Sequence, residues 1–369
     1  MKYDKDERVV FTLDAGGTNY VFTAIKGCKK IGEQITLPSE GDNLDKSIAN
    51  IKRGFSELAK ASGAKPSAIS FAFPGPADYQ NGVIFNIGNV PAFAGGVALG
   101  DILSEEFGVP VFINNDGDLF VYGEAMGGAL PFVNELMEKK GNPKRYKNLF
   151  GITLGTGLGG GFVIDGTLYT GDNSNAAEVW LMKNKFSPDS FAEEGACIRA
   201  VQKSYAKRIG LEDYKKYSPK DIEDIALGKM EGDADAAKAA YAEMGEALGD
   251  VLAEITRISD CPIVIGGGLS YGHKLFMDSL IKEMRGTLIN GEKKIFPKLV
   301  QKIYNLEDCG QADAFATGGV KEVKVYGSSK TVFATEEKRI GICVSKLGTS
   351  NAVAIGAYAF ALNELDKLA

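Results

Sequence analysis

The arrangement that most constrains the fold is a strand, a glycine-rich turn and a second strand, which the chain contains twice. The first copy runs through residues 8–26 around the turn 14–19, and the second through 149–168 around the turn 155–161. The copies lie 141 residues apart, and we expect 162–168 to form the outgoing strand of the second. Repetition at this scale predicts a duplication, with two related lobes facing each other across a cleft. A chance match of two glycine hairpins is the alternative.

The rest of the chain alternates predicted strands with predicted helices, the pattern of an α/β protein with parallel strand pairing. A length of 369 residues suits two domains. The predicted helices are 44–62, 98–107, 190–209, 234–258 and 350–368, and the predicted strands include 68–73, 110–114, 261–268 and a β-hairpin over 322–343.

The 46 glycines are clustered rather than spread, at 16–17, 155–161 and 266–268. Glycine-rich loops let backbone N–H groups approach a ligand closely, because no Cβ atom stands in the way. Three such loops in one chain predict a phosphate-rich ligand that is held from several sides.

The first glycine turn has the composition of a phosphate-binding loop. Gly16 and Gly17 would present backbone N–H groups to a phosphate, and Thr18 and Asn19 add side-chain donors. Asp14, at the end of the strand, is placed to hold a hydrated Mg²⁺ near that phosphate. An ordinary hairpin turn is the alternative, because Asp, Gly and Asn are good turn residues.

The second glycine turn formally matches the Gly-x-Gly-x-x-Gly dinucleotide fingerprint from Gly155 to Gly160. That fingerprint requires a helix after the glycines, whereas the following residues alternate like a strand. The context therefore argues against a Rossmann site and favours a second phosphate hairpin, in which Thr156 and Gly157 would contact the ligand. No Gly-x-x-x-x-Gly-Lys-Ser/Thr sequence is present, so a P-loop is excluded.

A third glycine turn follows the predicted strand 261–268 and includes Gly267 and Gly268. We expect a helix after this turn, which would place a nucleoside or phosphate contact at a helix N-terminus. A tight strand–helix connection without a ligand is the alternative interpretation.

The segment 114–118, with the sequence Asn-Asn-Asp-Gly-Asp, directly follows a predicted strand. Ligands of open α/β sheets bind at the carboxyl ends of the strands. Phosphoryl transfer needs a residue that orients and deprotonates the acceptor hydroxyl, and Asp116 or Asp118 would serve. The segment also has the composition of a loop or helix N-cap. A calcium loop is disfavoured because the Glu of its twelfth position is missing.

Composition excludes several classes of function. His273 is the only histidine, so a multi-histidine metal site is excluded and acid–base chemistry falls to a carboxylate. The net charge of −6 argues against a general nucleic-acid-binding protein. Five scattered cysteines are typical of a reducing compartment, and no apolar run is long enough for a membrane span. Because the N-terminal residues also lack the apolar core of a secretory signal, we expect a cytoplasmic protein.

Taken in order, these elements resemble the ROK family of repressors and sugar kinases, on the two-lobed actin-like/hexokinase ATPase fold, which is ribonuclease H-like. The similar segments are DAGGTN, FPGPAD, NNDGDLFVYGEA, GITLGTGLGGGFVIDG, VIGGGLS and LGTSNAVAIGAYAFAL, and together they span nearly the whole chain. The resemblance implies an ATP- and Mg²⁺-dependent hexose kinase that forms a homodimer. The implied lobes, with a cleft between them, are residues 1–125 plus 350–369 and residues 126–349.

The resemblance also implies a role for each matched residue. Asp116 has the position of the family's general base, which removes the proton of a primary sugar hydroxyl, most readily the one at C6. Asn89, Asn115 and Glu178 would hydrogen-bond the sugar together with Asp116. The phosphates of ATP would lie between the first two glycine turns.

The chain departs from the family pattern in one region. Family members carry Gly-Glu-x-Gly-His followed by a Cys-x-Cys-Gly-x-x-Gly-Cys-x-Glu zinc motif. Here Glu178 is kept and the histidine position holds Leu181. Only Cys197 remains of the zinc motif's cysteines, and Arg199 stands at the position of its final Glu. We therefore expect no zinc site and a sugar site that lacks two usual hydroxyl contacts.

Several alternatives stay open around the sugar. Glu193 or Glu194 would compensate for the lost contacts, and Trp180 would either stack on a sugar face or pack in the core. The hexose itself is not specified, because specificity depends on a few hydroxyl contacts that this chain has changed.

The rival function from another class is a non-catalytic sugar-binding regulator. Some relatives of the family are repressors with an N-terminal helix-turn-helix, and the strand predicted from about residue 8 leaves no room for one. A sugar sensor without DNA binding would bind sugar and consume no ATP. An enzyme of the same fold that acts on an acid or a polyol is a further alternative.

Overall fold

The structure is a computed structural model that describes residues 2–16, 18–75, 77–85 and 91–368. Its strands are β1 (Val9–Ala15), β2 (Asn19–Lys26), β3 (Lys29–Pro38), β4 (Ala68–Ala72), β5 (Ala77–Asp78), β6 (Val83–Ile84), β7 (Val97–Ala98), β8 (Val111–Asn114), β9 (Leu149–Leu154), β10 (Leu158–Ile164), β11 (Thr167–Leu168), β12 (Ile263–Gly266), β13 (Thr287–Ile289), β14 (Ile295–Pro297), β15 (Lys302–Asn305), β16 (Val320–Lys324), β17 (Thr331–Thr335) and β18 (Arg339–Val344). Its α-helices are α1 (Leu44–Ser62), α2 (Leu99–Phe107), α3 (Asp116–Gly127), α4 (Ala129–Lys139), α5 (Ile198–Arg208), α6 (Pro219–Ala226), α7 (Ala234–Ser259), α8 (Met277–Met284), α9 (Cys309–Thr317) and α10 (Thr349–Leu368). None of the helices in these described ranges combines the length and hydrophobicity that a membrane span needs.

The chain divides into two compact units. The first comprises Met1–Gly128, Gly161–Ala177 and Leu347–Ala369, and the second comprises Ala129–Gly160 and Glu178–Lys346. The boundaries expected from the sequence follow residues 125 and 349, and the sequence gives no signal that 161–177 would group with the first unit. That the predicted ranges 1–125 plus 350–369 and 126–349 act as two functional lobes stays a prediction.

The first unit is built on a five-stranded sheet with the order β3-β2-β1-β4-β8. The hairpin β1–β2 is antiparallel and continues into β3, whereas β1, β4 and β8 are parallel, as predicted. Phe11, Phe22, Phe55 and Phe71 form the centre of its core, and the rings of Phe22 and Phe55 lie 5.0 Å apart, edge to face. Burial of these large rings between the sheet and α1 stabilises the unit.

Glycines let helix α3 pack unusually closely against its neighbours in the first unit. Gly123 of α3 and Gly356 of α10 each lie against a backbone carbonyl group of the facing helix, where a Cβ atom would overlap the oxygen. Gly161 of β10 lies against the first turn of α3, where a Cβ atom would come within 2.6 Å of the carbonyl oxygen of Gly117. Backbone-to-backbone packing therefore fixes the position of α3.

The second unit is built on the parallel strands β9, β12, β18 and β15, with β10 beside β9. The strand order β10-β9-β12-β18 repeats the order β2-β1-β4-β8 of the first unit. This shared order supports the duplication predicted from the repeated hairpins. Helix α7 packs against α5, α6 and α8.

Two elements near the second hairpin differ from the prediction. The segment 162–168 is not one strand, because Asp165 and Gly166 adopt positive φ and turn the chain between β10 and β11. The segment 190–209 is not one helix. A short 3₁₀ turn at Ala192–Glu194 precedes α5, and the extended backbone of Cys197 separates the two.

Two later elements also differ. The hairpin expected over 322–343 is formed by β16 and β17 alone, and β18 leaves it to join the parallel sheet. Alternation of apolar residues cannot distinguish these two kinds of strand. The turn at 266–268 leads into a 3₁₀ helix at Gly268–Leu275, and an α-helix begins only at Met277. The helix expected after this turn is therefore present but begins as a 3₁₀ helix, and the nucleoside or phosphate contact at its N-terminus stays a prediction.

Candidate active site

Asp116 stands at the first position of helix α3, directly after the end of strand β8. Asn115 caps the helix, and its Oδ1 accepts a hydrogen bond of 2.8 Å from the backbone N–H of Gly117. The Oδ1 of Asp116 accepts from the same N–H at 2.9 Å. The cap and the short strand–helix connection thereby orient the carboxylate of Asp116.

Asp116 differs in solvent exposure from Asp118, the other candidate base. Asp118 is buried, with 5% of its surface exposed, whereas Asp116 is exposed to solvent. Desolvation by the surrounding protein nevertheless raises the pKa of Asp116, the hydrogen bond from Gly117 lowers it, and repulsion from Asp14 raises it further. An accessible carboxylate with a raised pKa has the properties of a general base. The assignment of that role to Asp116 stays a prediction.

The first glycine turn lies at the same edge of the first unit's sheet as Asp116. Asp14 pairs across the sheet with Ala72, which in turn pairs with Asn114. Asp14, Gly16, Thr18 and Asn19 are all exposed at the end of the β1–β2 hairpin. Of the predicted site residues, Gly17 and Asn89 lie outside the described residues.

The second glycine turn is confined to residues 155–157, because β10 already begins at Leu158. The N–H of Gly155 is hydrogen-bonded to the carbonyl of Gly157 at 3.0 Å, which closes the turn. Thr156 is exposed, and among the described residues the N–H groups of Thr156 and Gly157 have no acceptor. Two adjacent unpaired N–H groups and a hydroxyl can bind an anion such as a phosphate.

The two glycines of the third turn have different surroundings. Gly267 has φ +85°, and a Cβ atom there would overlap the backbone of Leu154 at the end of β9. Gly268 is exposed, with open space where a Cβ atom would lie. Gly267 therefore serves the close approach of two chain segments, and only Gly268 has room beside it for a ligand.

Glu178 is held by its neighbour Trp180. The indole N–H of Trp180 donates a hydrogen bond to Oε2 of Glu178, which is otherwise exposed. The half-buried indole packs edge to face on Phe191, with ring centroids 5.6 Å apart. Trp180 is therefore not a core residue, and its indole orients the Glu178 carboxylate. Stacking of Trp180 on a sugar face stays a prediction.

A comparison with known protein families decides the family of the chain. A model of the ROK family matches residues 10–308, most of the chain. The chain belongs to the ROK family. It is similar to a glucokinase of Parabacteroides distasonis of known crystal structure, at 47% identity and a TM-score of 0.91 over 98% of this chain and 99% of that one. This likeness confirms the predicted α/β actin-like ATPase fold.

Two curated proteins are more distant relatives. The glucokinase of Thermotoga maritima is 28% identical over 73% of this chain and 84% of the relative. The N-acetyl-D-glucosamine kinase of Vibrio cholerae is 27% identical over 79% of this chain and 93% of the relative.

Ion pairs organise the stretch that resembles the ROK zinc motif. Arg199 donates hydrogen bonds to Glu193 at 2.8 Å and to Glu194 at 2.9 Å, and Lys203 donates to Glu194 at 2.8 Å. Both carboxylates that the sequence offered as sugar ligands are thus paired with cations. Within the described ranges, no three His, Cys, Asp or Glu side chains are grouped to hold a metal ion.

Sequence reasoning missed the role of Arg199 in this ROK protein. The only signal was that a cation stands where the family pattern has an acid, and a sequence does not show which group such a cation pairs with. The third hydrogen bond of Arg199, from Nη1 to the carbonyl oxygen of Thr156 at 3.0 Å, joins residues 43 positions apart.

Proposed function

We propose that this ROK protein transfers the γ-phosphoryl group of ATP to a hydroxyl group of a hexose, most readily the C6 hydroxyl of glucose. The observation that carries the proposal is Asp116, an accessible, capped carboxylate with a raised pKa at the position of the family's base. The relatives named above are glucokinases and an N-acetyl-D-glucosamine kinase, which supports a sugar kinase.

In the first unit, Asp116 accepts the proton of the attacking hydroxyl as its oxygen approaches the γ-phosphorus. Asn115 uses its Oδ1 for the helix cap, which leaves its side-chain NH₂ to donate to a sugar oxygen. Asn89 and, in the second unit, Glu178 are the further proposed sugar contacts. The Trp180 indole fixes one oxygen of Glu178 and leaves the other to accept from a sugar hydroxyl.

The proposed contacts of ATP come from the three glycine turns. The first two turns expose hydroxyl and N–H groups that suit phosphate oxygens, and in the third turn Gly268 is exposed. Asp14 carries an exposed carboxylate near the end of β1, which fits a hydrated Mg²⁺. Such an ion neutralises charge on the phosphates. The proposed nucleotide contacts are Asp14, Gly16, Gly17, Thr18, Asn19, Thr156, Gly157 and Gly268, with Gly267 supporting the turn.

The test is ADP release with ATP and Mg²⁺ across glucose, mannose, fructose, allose and N-acetylhexosamines. We expect sugar-dependent turnover with the largest kcat/KM for glucose. A larger kcat/KM for N-acetylglucosamine would keep the kinase and overturn the substrate. No turnover on any sugar, together with a sugar-dependent rise in Tm, would instead establish a sugar-binding regulator. Sedimentation velocity on the same sample tests the predicted homodimer.

Replacing Trp180 by Phe tests the proposed sugar role of Glu178. The substitution keeps the ring packing on Phe191 and removes the hydrogen bond to Glu178. The hydrogen bond that orients Glu178 contributes about 1 kcal/mol. Its loss corresponds to a rise of about fivefold in the KM for sugar, with the KM for ATP unchanged. The matched variant Glu178→Gln keeps the oxygen that Trp180 donates to but lacks the charge, so we expect a rise there too. An unchanged sugar KM in both variants would remove Glu178 from the sugar site.

A further inference from the structure

The glycine turn 155–157 is held by two side chains from the stretch that resembles the zinc motif. Oε2 of Glu193 accepts a hydrogen bond of 3.0 Å from the backbone N–H of Leu158, the residue that follows the turn. Nη1 of Arg199 donates to the carbonyl oxygen of Thr156 at 3.0 Å. The two side chains are joined to each other by the 2.8 Å bond from Arg199 to Glu193. They therefore fasten the exposed Thr156 itself and the residue that follows the turn.

Two further contacts tie the turn to the same segment. The backbone N–H of Ile198, next to Arg199, donates to the carbonyl of Gly155 at 2.9 Å, so both ends of the turn are tied to one segment. A Cβ atom on Gly157 would lie 2.5 Å from Oε2 of Glu193, so only glycine leaves room for this carboxylate. Glycine is thus needed at position 157 for the contact of Glu193 with the turn, as well as for the approach of a ligand.

We propose that the Glu193–Arg199 pair is a positioning device for the nucleotide's phosphate loop, in which Arg199 both fixes the loop and neutralises Glu193. The inference rests on the proposed function, because it takes the turn 155–157 to be a phosphate-binding loop. Arg199 is a positioning residue rather than a catalytic one, since its contacts are to the loop and to two carboxylates.

Electrostatics gives the pair its second effect. A carboxylate beside a phosphate-binding loop repels the anion unless a cation balances it. Glu193 is 21% exposed and lies against Gly157, so its charge would be felt at the loop. Arg199 supplies the opposite charge within hydrogen-bond distance, and its pairing with Glu193 raises its own pKa. Without Arg199, the loop would lose a restraint and gain an unbalanced negative charge.

The test is titration of the purified protein with ATP–Mg²⁺ by calorimetry, together with steady-state kinetics, for wild type and Arg199→Met. We expect the dissociation constant and the KM for ATP to rise roughly tenfold or more, because a misplaced binding loop costs at least that. The KM for sugar should stay within twofold. Added salt should reduce the difference in ATP affinity between the variant and wild type, because salt screens the repulsion of the phosphates by Glu193.

Three further variants make the result specific. Lys203→Met removes a cation that pairs with Glu194 and makes no contact with the loop, so we expect no change in ATP affinity. Arg199→Lys keeps the charge without the forked geometry and should recover part of the affinity. In a Glu193→Gln background, Arg199→Met should lower the affinity for ATP less than it does in wild type, because the carboxylate charge is already absent.

The failure of this inference is distinguishable from that of the proposed function. If wild type shows no binding of ATP–Mg²⁺, the proposed function fails. If wild type binds ATP and Arg199→Met binds it equally well, the inference alone is overturned. A rise in the sugar KM with an unchanged ATP KM would also overturn it, since Arg199 would then act on the sugar.

Discussion

Replacing Asp116 by Asn is expected to lower kcat by about 10²- to 10⁴-fold, the usual contribution of a general base. Asn keeps an oxygen that accepts from the N–H of Gly117, so the start of α3 is preserved. It cannot accept the proton of the sugar hydroxyl. The KM values for sugar and ATP should change little, because the loss falls on the transition state. Initial rates of ADP release with saturating sugar measure the effect.

The same substitution should not destabilise the protein at neutral pH. Desolvation raises the pKa of Asp116 above its unfolded value, so the folded state favours the protonated form. The resulting stabilisation is present below the ordinary Asp pKa and is lost as pH rises through the folded pKa. At neutral pH the ionised carboxylate is therefore a cost that Asn removes, and the Tm should be equal or higher.

The pH dependence of wild type follows from the same shift. Because catalysis needs ionised Asp116, kcat/KM should fall on the acid side, with its midpoint above the ordinary pKa of an Asp.

Asp101→Asn is a matched control for the Asp116→Asn substitution, since Asp101 is an exposed acid in the first turn of α2. We expect normal kinetics there. Turnover near wild type in Asp116→Asn would contradict the assigned base.

Much of this fold could be predicted because it rests on local patterns. Helix α1 follows the apolar periodicity of its segment, α7 and α10 follow from their Ala-rich composition, and the hairpin β1–β2 follows from two apolar runs around a glycine turn. The position of Asp116 at the end of a parallel strand also follows from the sequence. These features depend on residues that are neighbours in the chain.

The roles of individual glycines and charges could not be predicted in this way. Gly161 and Gly267 belong to glycine-rich turns in the sequence, yet each serves the approach of a distant backbone segment. Gly268 has open space beside it, although it directly follows Gly267 in the sequence. Arg199 contacts Thr156 across 43 positions. Tertiary packing decides which groups meet across such separations, and the local preferences of a sequence do not predict it.

The second large effect is expected from Gly356→Ala, because the closest packing in the first unit depends on that glycine. A Cβ atom at 356 would overlap the carbonyl oxygen of Leu119, so α10 and α3 must move apart. Overpacking of this kind costs about 1–3 kcal/mol or more, against a gain of about 1 kcal/mol in helix propensity. We expect a net loss of about 2 kcal/mol, or a fall in Tm of roughly 4–8 °C.

The displacement should also reach the chemistry, because α3 carries Asp116 at its first position. A shift of α3 by even a fraction of an ångström would move the base, so kcat should fall more than the KM for ATP rises. Gly291→Ala is the matched control, since open space surrounds that exposed glycine and we expect a change within about 0.5 kcal/mol. Equal melting temperatures for the two variants would show that the helices can separate without cost. Close backbone packing would then not be what fixes α3, and the geometry of Asp116 would have to be set by the cap at Asn115 alone.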